Sequence, residues 1–249
     1  MPKVSIVVPV YNAARFLEDT IRSVQAQTEK DWELLLVDDC STDESRDVIT
    51  RISERDSRVR LIRQAQNAGA AAARNRGICE AAGKYLAYLD ADDLWKPERL
   101  SKELAFLEKE KAAFVFCGYE FADENGHGTG KVVRVPKTLT YHQALKNTTI
   151  FTSTVLFDMT ALSKELLQMP LVKSEDTATW WKILRAGYQA HGLDENLVLY
   201  RRTAGTLSSD KLEAVRRIWF LYRKVEGLSV LYSMYNFIFY AIRAVLRRV

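Results

Sequence analysis

The chain of 249 residues is long enough to bury a sizeable core as one domain, with or without an appendage. Its hydrophobic content of 47% and charged content of 27% are typical of a globular protein and exclude an intrinsically disordered one. A net charge of +4 is too small to favour a nucleic-acid binder, so we expect no nucleic-acid partner.

The cysteines and the N-terminus both favour a cytoplasmic location. Cys40, Cys79 and Cys117 are odd in number and far apart, so they indicate neither a disulfide framework nor a metal cluster, and they fit a reducing compartment. Residues 1–10 lead directly into an apolar strand and show no cleavable signal pattern.

Apolar segments of strand length alternate with segments of helical periodicity through the first part of the chain. We predict strands at residues 3–10, 33–37, 59–62 and 85–89. Helices are predicted at residues 16–25, from the capping residues 41–44 onward, and after residues 67–69. This alternation predicts an α/β fold with a mostly parallel, Rossmann-like sheet and helices on both faces.

The pattern is less regular after Pro97. An amphipathic helix follows, with Leu100, Leu104 and Leu107 on its inward face. Further strands are predicted at residues 114–121, 131–135, 150–157 and 197–201, and a helix at residues 160–168. We expect residues 1–210 to form the main domain and residues 211–249 to form a helical tail that is aromatic and basic.

The tail admits three interpretations. Four polar residues interrupt its apolar run: Ser229, Ser233, Asn236 and Arg243. A membrane-spanning helix needs roughly 20 mostly apolar residues, so an interfacial helix fits better than a span. Contact with anionic lipid is suggested by the basic residues Arg216, Arg217, Arg223, Lys224, Arg243, Arg247 and Arg248. Alternatively, the tail packs on the core or on a second subunit of a homo-oligomer.

Residues 85–93 run from an apolar strand into three carboxylates. In open α/β sheets, ligands bind in the crevice at the carboxyl ends of the strands. Asp90 and Asp92 flank one small residue, so their oxygens could converge on a divalent cation that holds a diphosphate. Taken alone, such a D-x-D is more often a solvated turn before a helix.

Polar clusters also follow the first two strands, at residues 9–12 and 38–43. A nucleoside diphosphate requires a ring for stacking, a carboxylate that accepts a hydrogen bond from the nucleobase or the ribose, and an acid pair that binds a metal. Arg74 adds a cation that could face phosphate oxygens. Singly, Tyr11 favours turn packing and Arg74 a solvated helix face, but together on one sheet edge they favour a site. Neither a G-x-G-x-x-G nor a P-loop is present, so phosphate would be held by metal and arginine.

Residues 4–12, 37–43, 67–69, 73–75 and 90–93 resemble, in order, the family 2 glycosyltransferases of the GT-A fold, of the bacterial surface-polysaccharide type. The resemblance implies a nucleotide-binding half at about residues 1–110 and an acceptor half at about residues 111–210. It implies Mn²⁺ or Mg²⁺ on Asp90 and Asp92. The implied nucleotide-sugar contacts are Pro9, Tyr11, Asn12, Asp38, Asp39, Asn67, Arg74, Asp90, Ala91 and Arg202. UDP is the expected nucleotide, because a contact of the Asp39 type suits uracil.

Residues 174–177, followed by a helix at residues 180–187, resemble the family's catalytic-base motif. An inverting transfer needs one carboxylate to take the proton of the acceptor hydroxyl, and a metal stabilises the departing diphosphate. We assign Asp176 as the base and Glu175 as a supporting neighbour. The alternative is that these acids only stabilise a helix N-terminus. Trp180 and Trp181 could stack on a sugar, although one of them at least is expected in the core.

Residues 200–208 resemble the family's later basic loop, in which Arg202 would close over the diphosphate. Family members commonly have His where this chain has Thr203, and Ser where it has Thr206. We therefore predict a metal-dependent inverting glycosyltransferase that moves a sugar from a nucleoside diphosphate to an acceptor hydroxyl. The expected acceptor is a lipid-linked saccharide in cell-surface polysaccharide synthesis, reached from the inner face of the membrane. The alternative is a catalytically inactive sugar-nucleotide-binding subunit or sensor.

Overall fold

The computed structural model describes residues 1–146, 149–202 and 211–246, and its ten strands form one sheet. The strands are β1 (Val4–Val10), β2 (Trp32–Asp38), β3 (Val59–Arg63), β4 (Tyr85–Tyr88), β5 (Leu94–Trp95), β6 (Phe114–Ala122), β7 (Gly128–Val133), β8 (Thr138–Leu139), β9 (Val155–Asp158) and β10 (Ala190–Arg201). The helices are α1 (Ala14–Gln25), α2 (Ser45–Ser53), α3 (Gly69–Glu80), α4 (Arg99–Glu110), α5 (Tyr141–Ala144), α6 (Lys164–Leu167), α7 (Glu175–Arg185), α8 (Lys211–Phe220) and α9 (Val230–Leu246). A 3₁₀ turn (Thr152–Thr154) precedes β9, and a π-helical turn (Leu221–Val225) follows α8.

The first four strands are parallel and lie in the order β3-β2-β1-β4, which confirms the predicted sheet. Every residue of β2 is buried, because alternate side chains enter core layers on opposite faces of the sheet. Leu35, for example, packs in the layer beneath α3 and α7, whereas Leu34 packs in the layer beneath α1 and α4. Burial on both faces explains the unbroken apolar runs that mark these strands in the sequence.

The second part of the chain departs from the predicted elements. β9 begins at Val155 rather than residue 150 and pairs antiparallel with both β4 and β6. The predicted helix at residues 160–168 is reduced to the single turn of α6. The strand predicted at residues 197–201 is the end of the long β10. The pairing register of β10 shifts between Leu193 and Val198, so its first half lacks the regular alternation from which a strand is predicted. Antiparallel pairing at one side of a parallel sheet gives the mixed sheet observed here.

The tail is helical, as predicted, and its first part packs on the core. The ring of Tyr222 stacks on buried Trp181 at a centroid distance of 5.2 Å, and its hydroxyl donates to the carbonyl of Leu145. Glu226 accepts hydrogen bonds from Tyr141 at 2.5 Å and from Arg185 at 3.0 Å. Within the described ranges, no helix is long and apolar enough to cross a membrane. Some of the predictions fall on positions outside the described residues. They are the domain boundary between residues 210 and 211 and the roles of Thr203, Thr206, Arg247 and Arg248.

Candidate active site

The loops that follow β1 and β2 meet at the carboxyl edge of the sheet. The backbone N–H of Asn12 donates to Ser41 Oγ at 3.1 Å, and Asn12 Oδ1 accepts from the backbone N–H of Thr42 at 2.8 Å. Asn12 has a φ of 50°, a left-handed conformation that asparagine tolerates better than most residues. Its side chain therefore joins the two loops. The ring of the neighbouring Tyr11 is 54% exposed, which leaves it free to stack on a ligand.

Pro9 and Asp38 lie where β1 and β2 reach this edge. Pro9 faces Val37 of β2 but lies beyond the last residue of β1 that pairs with β4, so its missing N–H interrupts no bond on that side. Asp38 is fully buried and accepts hydrogen bonds from the backbone N–H of Ser41 at 3.1 Å and from Arg46 Nε at 2.6 Å. The Asp38 carboxylate thus holds the loop that continues towards α2.

Asp39 is also buried, and it anchors the start of α3. Its carboxylate accepts from the backbone N–H of Ala68 at 2.8 Å, from that of Gly69 at 2.7 Å, and from Gln64 Nε2 at 2.7 Å. Carboxylates are stabilised at helix N-termini, where backbone N–H groups are unpaired. Gly69 has a φ of 85°, which favours glycine at this position and accounts for the motif at residues 67–69. Asn67 itself is exposed beside this turn.

The acidic turn after β4 divides its three carboxylates between two environments. Across the described ranges, Asp92 makes no salt bridge and no side-chain hydrogen bond, and burial together with the charge of Asp90 raises its pKa to about 6. Asp93 points into the protein, where Ser153 Oγ donates to it at 2.5 Å and the backbone N–H of Arg201 at 3.2 Å. The carbonyl of Ala91 accepts from Thr20 Oγ1 at 2.9 Å. Asp90 and Asp92 are therefore presented to the crevice while Asp93 holds the turn.

Arg74 connects this turn to the second acidic motif. Its Nη2 bonds Asp90 Oδ1 at 2.6 Å, and its Nη1 bonds Glu175 Oε1 at 2.8 Å, although Glu175 lies 101 residues further along the chain. The Arg74 side chain is buried, so the alternative of a solvated helix face is wrong. Burial alone would lower the pKa of Arg74, but the charges of Asp90 and Glu175 raise it. The guanidinium therefore stays charged and draws the two motifs together.

Glu175 and Asp176 lie in the first turn of α7, which begins at Glu175, whereas the prediction placed the acid pair before the helix. Burial raises the pKa of Glu175; the Arg74 charge opposes this shift and the Asp176 charge adds to it. Asp176 Oδ2 accepts from Thr152 Oγ1 at 3.2 Å, and Asp176 Oδ1 accepts from the backbone N–H of Thr177 at 2.6 Å.

Three other predicted residues occupy different surroundings. Trp180 and Trp181 are both buried, so both belong to the core and the acceptor-stacking alternative is wrong. Arg202 lies at the end of β10 with its guanidinium 5.0 Å from the ring centroid of Phe121. It is exposed beside the segment that the structure does not describe.

A divalent cation fits the turn at Asp90 and Asp92. Among the described residues no cluster of three or more His, Cys, Asp or Glu side chains could hold a metal. At this turn the chain would therefore contribute only the carboxylates of Asp90 and Asp92 as hard oxygen donors. In many enzymes that use phosphorylated substrates, Mg²⁺ is bound by one or two carboxylates, and substrate phosphates and water complete its coordination shell. Burial raises the pKa of Asp92 and the charge of Asp90 adds to the shift, so a cation between the two carboxylates would offset their repulsion.

Comparisons with known proteins identify the family of the chain. The family model described as glycosyl transferase family 2 matches residues 5–167. A Bacillus subtilis (strain 168) protein described as a teichuronic acid biosynthesis glycosyltransferase, TuaG, is 40% identical over 99% of this chain and 98% of its own length. An Escherichia coli protein described as UDP-Glc:alpha-D-GlcNAc-diphosphoundecaprenol beta-1,3-glucosyltransferase, WfgD, is 35% identical over 96% of this chain and 94% of its own.

Solved structures share the fold at low sequence identity. Residues 1–349 of S. aureus TarS in complex with UDP-GlcNAc match with a TM-score of 0.71 at 19% identity, covering 96% of this chain and 70% of that one. The mannosyltransferase PcManGT from Pyrobaculum calidifontis, in complex with GDP-Man and Mn²⁺, matches with a TM-score of 0.72 at 20% identity, covering 92% and 65%. The chain is thus a GT-A-fold enzyme that belongs to glycosyl transferase family 2.

Proposed function

We propose that the protein is a metal-dependent inverting hexosyltransferase that moves a sugar from a nucleoside diphosphate, UDP in the first place, to an acceptor hydroxyl. One observation carries the proposal. The buried Arg74 bonds Asp90 of the acidic turn and Glu175 of the acid pair at the same time. The proposed donor-binding carboxylate, Asp90, and the acid pair that contains the proposed base, Asp176, are therefore linked by one guanidinium, and such proximity is what a transfer reaction requires.

On the donor side, the chain supplies a stacking ring, two loop anchors and a cation site. The exposed ring of Tyr11 would stack on the base, on loops that Asn12 and Asp39 hold in place. Mn²⁺ or Mg²⁺ held by Asp90 and Asp92 would stabilise the negative charge on the departing diphosphate. Arg202, which follows β10 and is exposed, would close over the diphosphate.

On the acceptor side, Asp176 would take the proton of the attacking hydroxyl while the hydroxyl oxygen attacks the anomeric carbon from the face opposite the leaving group. Glu175 suits this role less well, because Arg74 already binds its Oε1. Glu175 instead keeps Arg74 in place. Asp176 retains acceptor capacity on both oxygens beside its bonds to Thr152 and Thr177.

The names of the relatives support the donor and acceptor classes. A relative that uses UDP-Glc on a diphosphoundecaprenol-linked sugar and a fold neighbour with bound UDP-GlcNAc support UDP and a lipid-linked saccharide acceptor. The relative described for teichuronic acid supports a place in cell-surface polysaccharide synthesis. A fold neighbour with GDP-Man and Mn²⁺ supports the divalent cation.

We further propose that residues 1–210 form the glycosyltransferase domain and that the tail, residues 211–249, places it at the inner face of the membrane. The outer face of α9 carries seven large apolar or aromatic side chains that are at least 38% exposed: Val230, Leu231, Met234, Tyr235, Ile238, Phe239 and Ile242. The polar Ser233 and Asn236 face inward and are buried. An apolar outer face on a surface helix is typical of an interfacial helix.

Charge distinguishes an anionic bilayer from a second copy of the chain as the partner of this face. Residues 227–249 contain no Asp or Glu, whereas Arg243 is exposed and Lys146 lies 4.5 Å from the ring centroid of Tyr235. A homodimer through this face would bring like charges together, but anionic lipid would attract them. Leu231→Glu should abolish co-sedimentation with phosphatidylglycerol vesicles, and Leu171→Glu, at an exposed apolar position outside the tail, should not. Concentration-dependent dimerisation that Leu231→Glu abolishes would instead assign the face to a second copy.

The donor proposal is tested by calorimetric titration with UDP, GDP, dTDP and CDP, each with Mn²⁺ and with EDTA. We expect UDP to bind in the presence of Mn²⁺ and to lose most of its affinity in EDTA. The same preparation should then transfer glucose from UDP-glucose to diphosphoundecaprenol-linked GlcNAc, or a sugar from another UDP donor to it. Binding without transfer from any donor would favour the inactive subunit or sensor, and equal binding with EDTA would contradict metal dependence.

A further inference from the structure

Three consecutive buried hydroxyl residues form the 3₁₀ turn before β9. Thr152 is 3% exposed, and Ser153 and Thr154 are fully buried. Thr152 Oγ1 donates to the carboxylate of Asp176 and Ser153 Oγ to that of Asp93, whereas Thr154 Oγ1 donates to a carbonyl within the turn at 2.6 Å. The 3₁₀ turn thus contacts both the proposed base, Asp176, and the acidic turn that carries the proposed metal ligands.

Ser153 holds the metal-binding turn at three points. Its Oγ donates to Asp93 Oδ2 at 2.5 Å and accepts from the backbone N–H of Asp90 at 3.1 Å. Its carbonyl accepts from Trp95 Nε1 at 2.9 Å. The residue that lies between these points, Asp92, has no such restraint on its own side chain. Ser153 therefore holds the backbone of the turn that carries Asp90 and Asp92, whereas the Asp90 carboxylate itself is bonded by Arg74.

Thr152 restrains the proposed base in a comparable way. Its hydroxyl bonds Asp176 Oδ2 at 3.2 Å, while the N–H of Thr177 bonds Asp176 Oδ1. Two donors on opposite oxygens fix the rotation of the carboxylate about its Cβ–Cγ bond. The lone pairs that remain then point in a defined direction, and a general base must reach its proton within hydrogen-bond distance.

We propose that Thr152 and Ser153 are positioning residues that fix the catalytic base relative to the metal-binding turn. Because they are adjacent in one short turn, a single peptide unit links the support of Asp176 to that of the turn with Asp90 and Asp92, in addition to the Arg74 bridge. The proposal rests on the function proposed above, from which it takes the roles of Asp176, Asp90 and Asp92.

The test compares Thr152→Val, Ser153→Ala and Thr154→Val, of which the last is a matched control that removes a buried hydroxyl from the same turn. Mn²⁺ affinity in the presence of UDP is read by electron paramagnetic resonance, and kcat and KM are measured with UDP-glucose or the active UDP donor. Thr152→Val should lower kcat at least tenfold, roughly the scale of a lost supporting hydrogen bond at a site, with Mn²⁺ affinity unchanged. Ser153→Ala should weaken Mn²⁺ binding by about 10–100-fold. Thr154→Val should change neither.

Conservative variants guard against a general loss of folding. Thr152→Ser keeps the hydroxyl and should restore kcat, and Ser153→Cys keeps the volume with a weaker donor and should give an intermediate Mn²⁺ affinity. Equal losses of kcat in Thr152→Val and Thr154→Val, or unchanged Mn²⁺ affinity in Ser153→Ala, would overturn the proposal. Failure of the proposed function has a different signature, since the wild type itself would then transfer no sugar, while the Mn²⁺ measurement would still decide the role of Ser153.

Discussion

Two buried arginines of this protein occupy contrasting charge environments. Arg99 and Glu103 form a one-to-one pair at 2.9 Å beneath β6, and both side chains are fully buried. Arg74 also bonds carboxylates, but it lies at the carboxyl edge of the sheet among Asp90, Asp92, Glu175 and Asp176, so acids outnumber it. The other buried arginine near that turn, Arg201, is paired with Asp19 at 2.8 Å.

The difference separates a structural ion pair from a binding site. The sealed pair balances its own charge once Glu103 is ionised, although burial raises the pKa of that acid to about 7, and neither side chain is exposed to a ligand. The cluster around Arg74 has an excess of negative charge in a crevice. Burial and, after it, the charge of Asp90 raise the pKa of Asp92 to about 6, and the Asp92 carboxylate makes no salt bridge within the described ranges. Unbalanced buried charge is a physical pointer to function, because a protein has no structural reason to maintain it.

Removing the unbalanced charge should have the largest effect. Asp92→Asn deletes one of two cation ligands, so we expect Mn²⁺-dependent transfer to fall at least about a thousandfold, from the loss of several kcal/mol of charge stabilisation. Stability should not fall, because a repelled buried carboxylate is removed. Mn²⁺ titration, transfer rate and thermal unfolding check this expectation, with the exposed Asp47→Asn as control. Lower stability together with intact Mn²⁺ binding would assign Asp92 to the fold instead.

Breaking the balanced pair should affect stability alone. Glu103→Gln leaves Arg99 buried without a counter-charge, and because arginine cannot release its proton we expect a loss of about 3–5 kcal/mol of unfolding free energy. The rate per folded molecule should be unchanged. Denaturant unfolding at pH 8 measures the loss. The double variant Arg99→Met/Glu103→Leu should regain most of it, and a Glu103→Gln protein that folds normally but loses Mn²⁺ binding would remove the contrast between the two sites.

Keeping the charge of Arg74 while changing its shape should have a smaller effect. Lysine has one ammonium and cannot bond Asp90 and Glu175 through separate nitrogens of a planar fork. We expect Arg74→Lys to lower kcat/KM by about 10–100-fold, the scale seen when a supporting contact is lost. Steady-state kinetics with varied donor and varied Mn²⁺ measure it. An unchanged kcat/KM would show that the bridge between the two motifs has no part in the reaction.

The pH dependence of metal binding should be the mildest signature. Protonated Asp92 cannot bind a cation, so below a pKa of about 6 the apparent Mn²⁺ affinity should fall about tenfold per pH unit, and above it the affinity should level off. Without metal, the stability of the protein changes with pH in the opposite direction to the Mn²⁺ affinity. The raised pKa of Asp92 contributes stability at low pH that is lost as the pH rises through about 6. Asp92→Asn should weaken the pH dependence of Mn²⁺ binding and remove only its own share of that of stability, since burial also raises the pKa of Glu103. A flat Mn²⁺ profile in the wild type would contradict the shift.

The sequence predicted the carboxyl edge well because local signals coincide there. Each parallel strand is an apolar run that ends in a polar cluster, and residues 67–69 require glycine for a left-handed turn. The roles of Thr152 and Ser153 could not be predicted, because a hydroxyl in a loop has no periodicity and their partners, Asp176 and Asp93, are distant along the chain. The bridging role of Arg74 was missed for the same reason. The antiparallel direction of β9 was not accessible either, because alternation reports burial and not direction.

The most direct test of the account is the separation of donor binding from turnover in Asp176→Asn. Asparagine keeps the size of aspartate but cannot take a proton, so UDP should bind with Mn²⁺ as in the wild type while transfer falls by about 10²–10⁴-fold. Calorimetry with UDP and Mn²⁺, together with transfer rates, measures both quantities on one preparation. The predicted result is wild-type affinity with lost turnover. Transfer at a near-native rate would contradict the assignment of Asp176 as the base, and with it the claim that the two acidic motifs form one catalytic site.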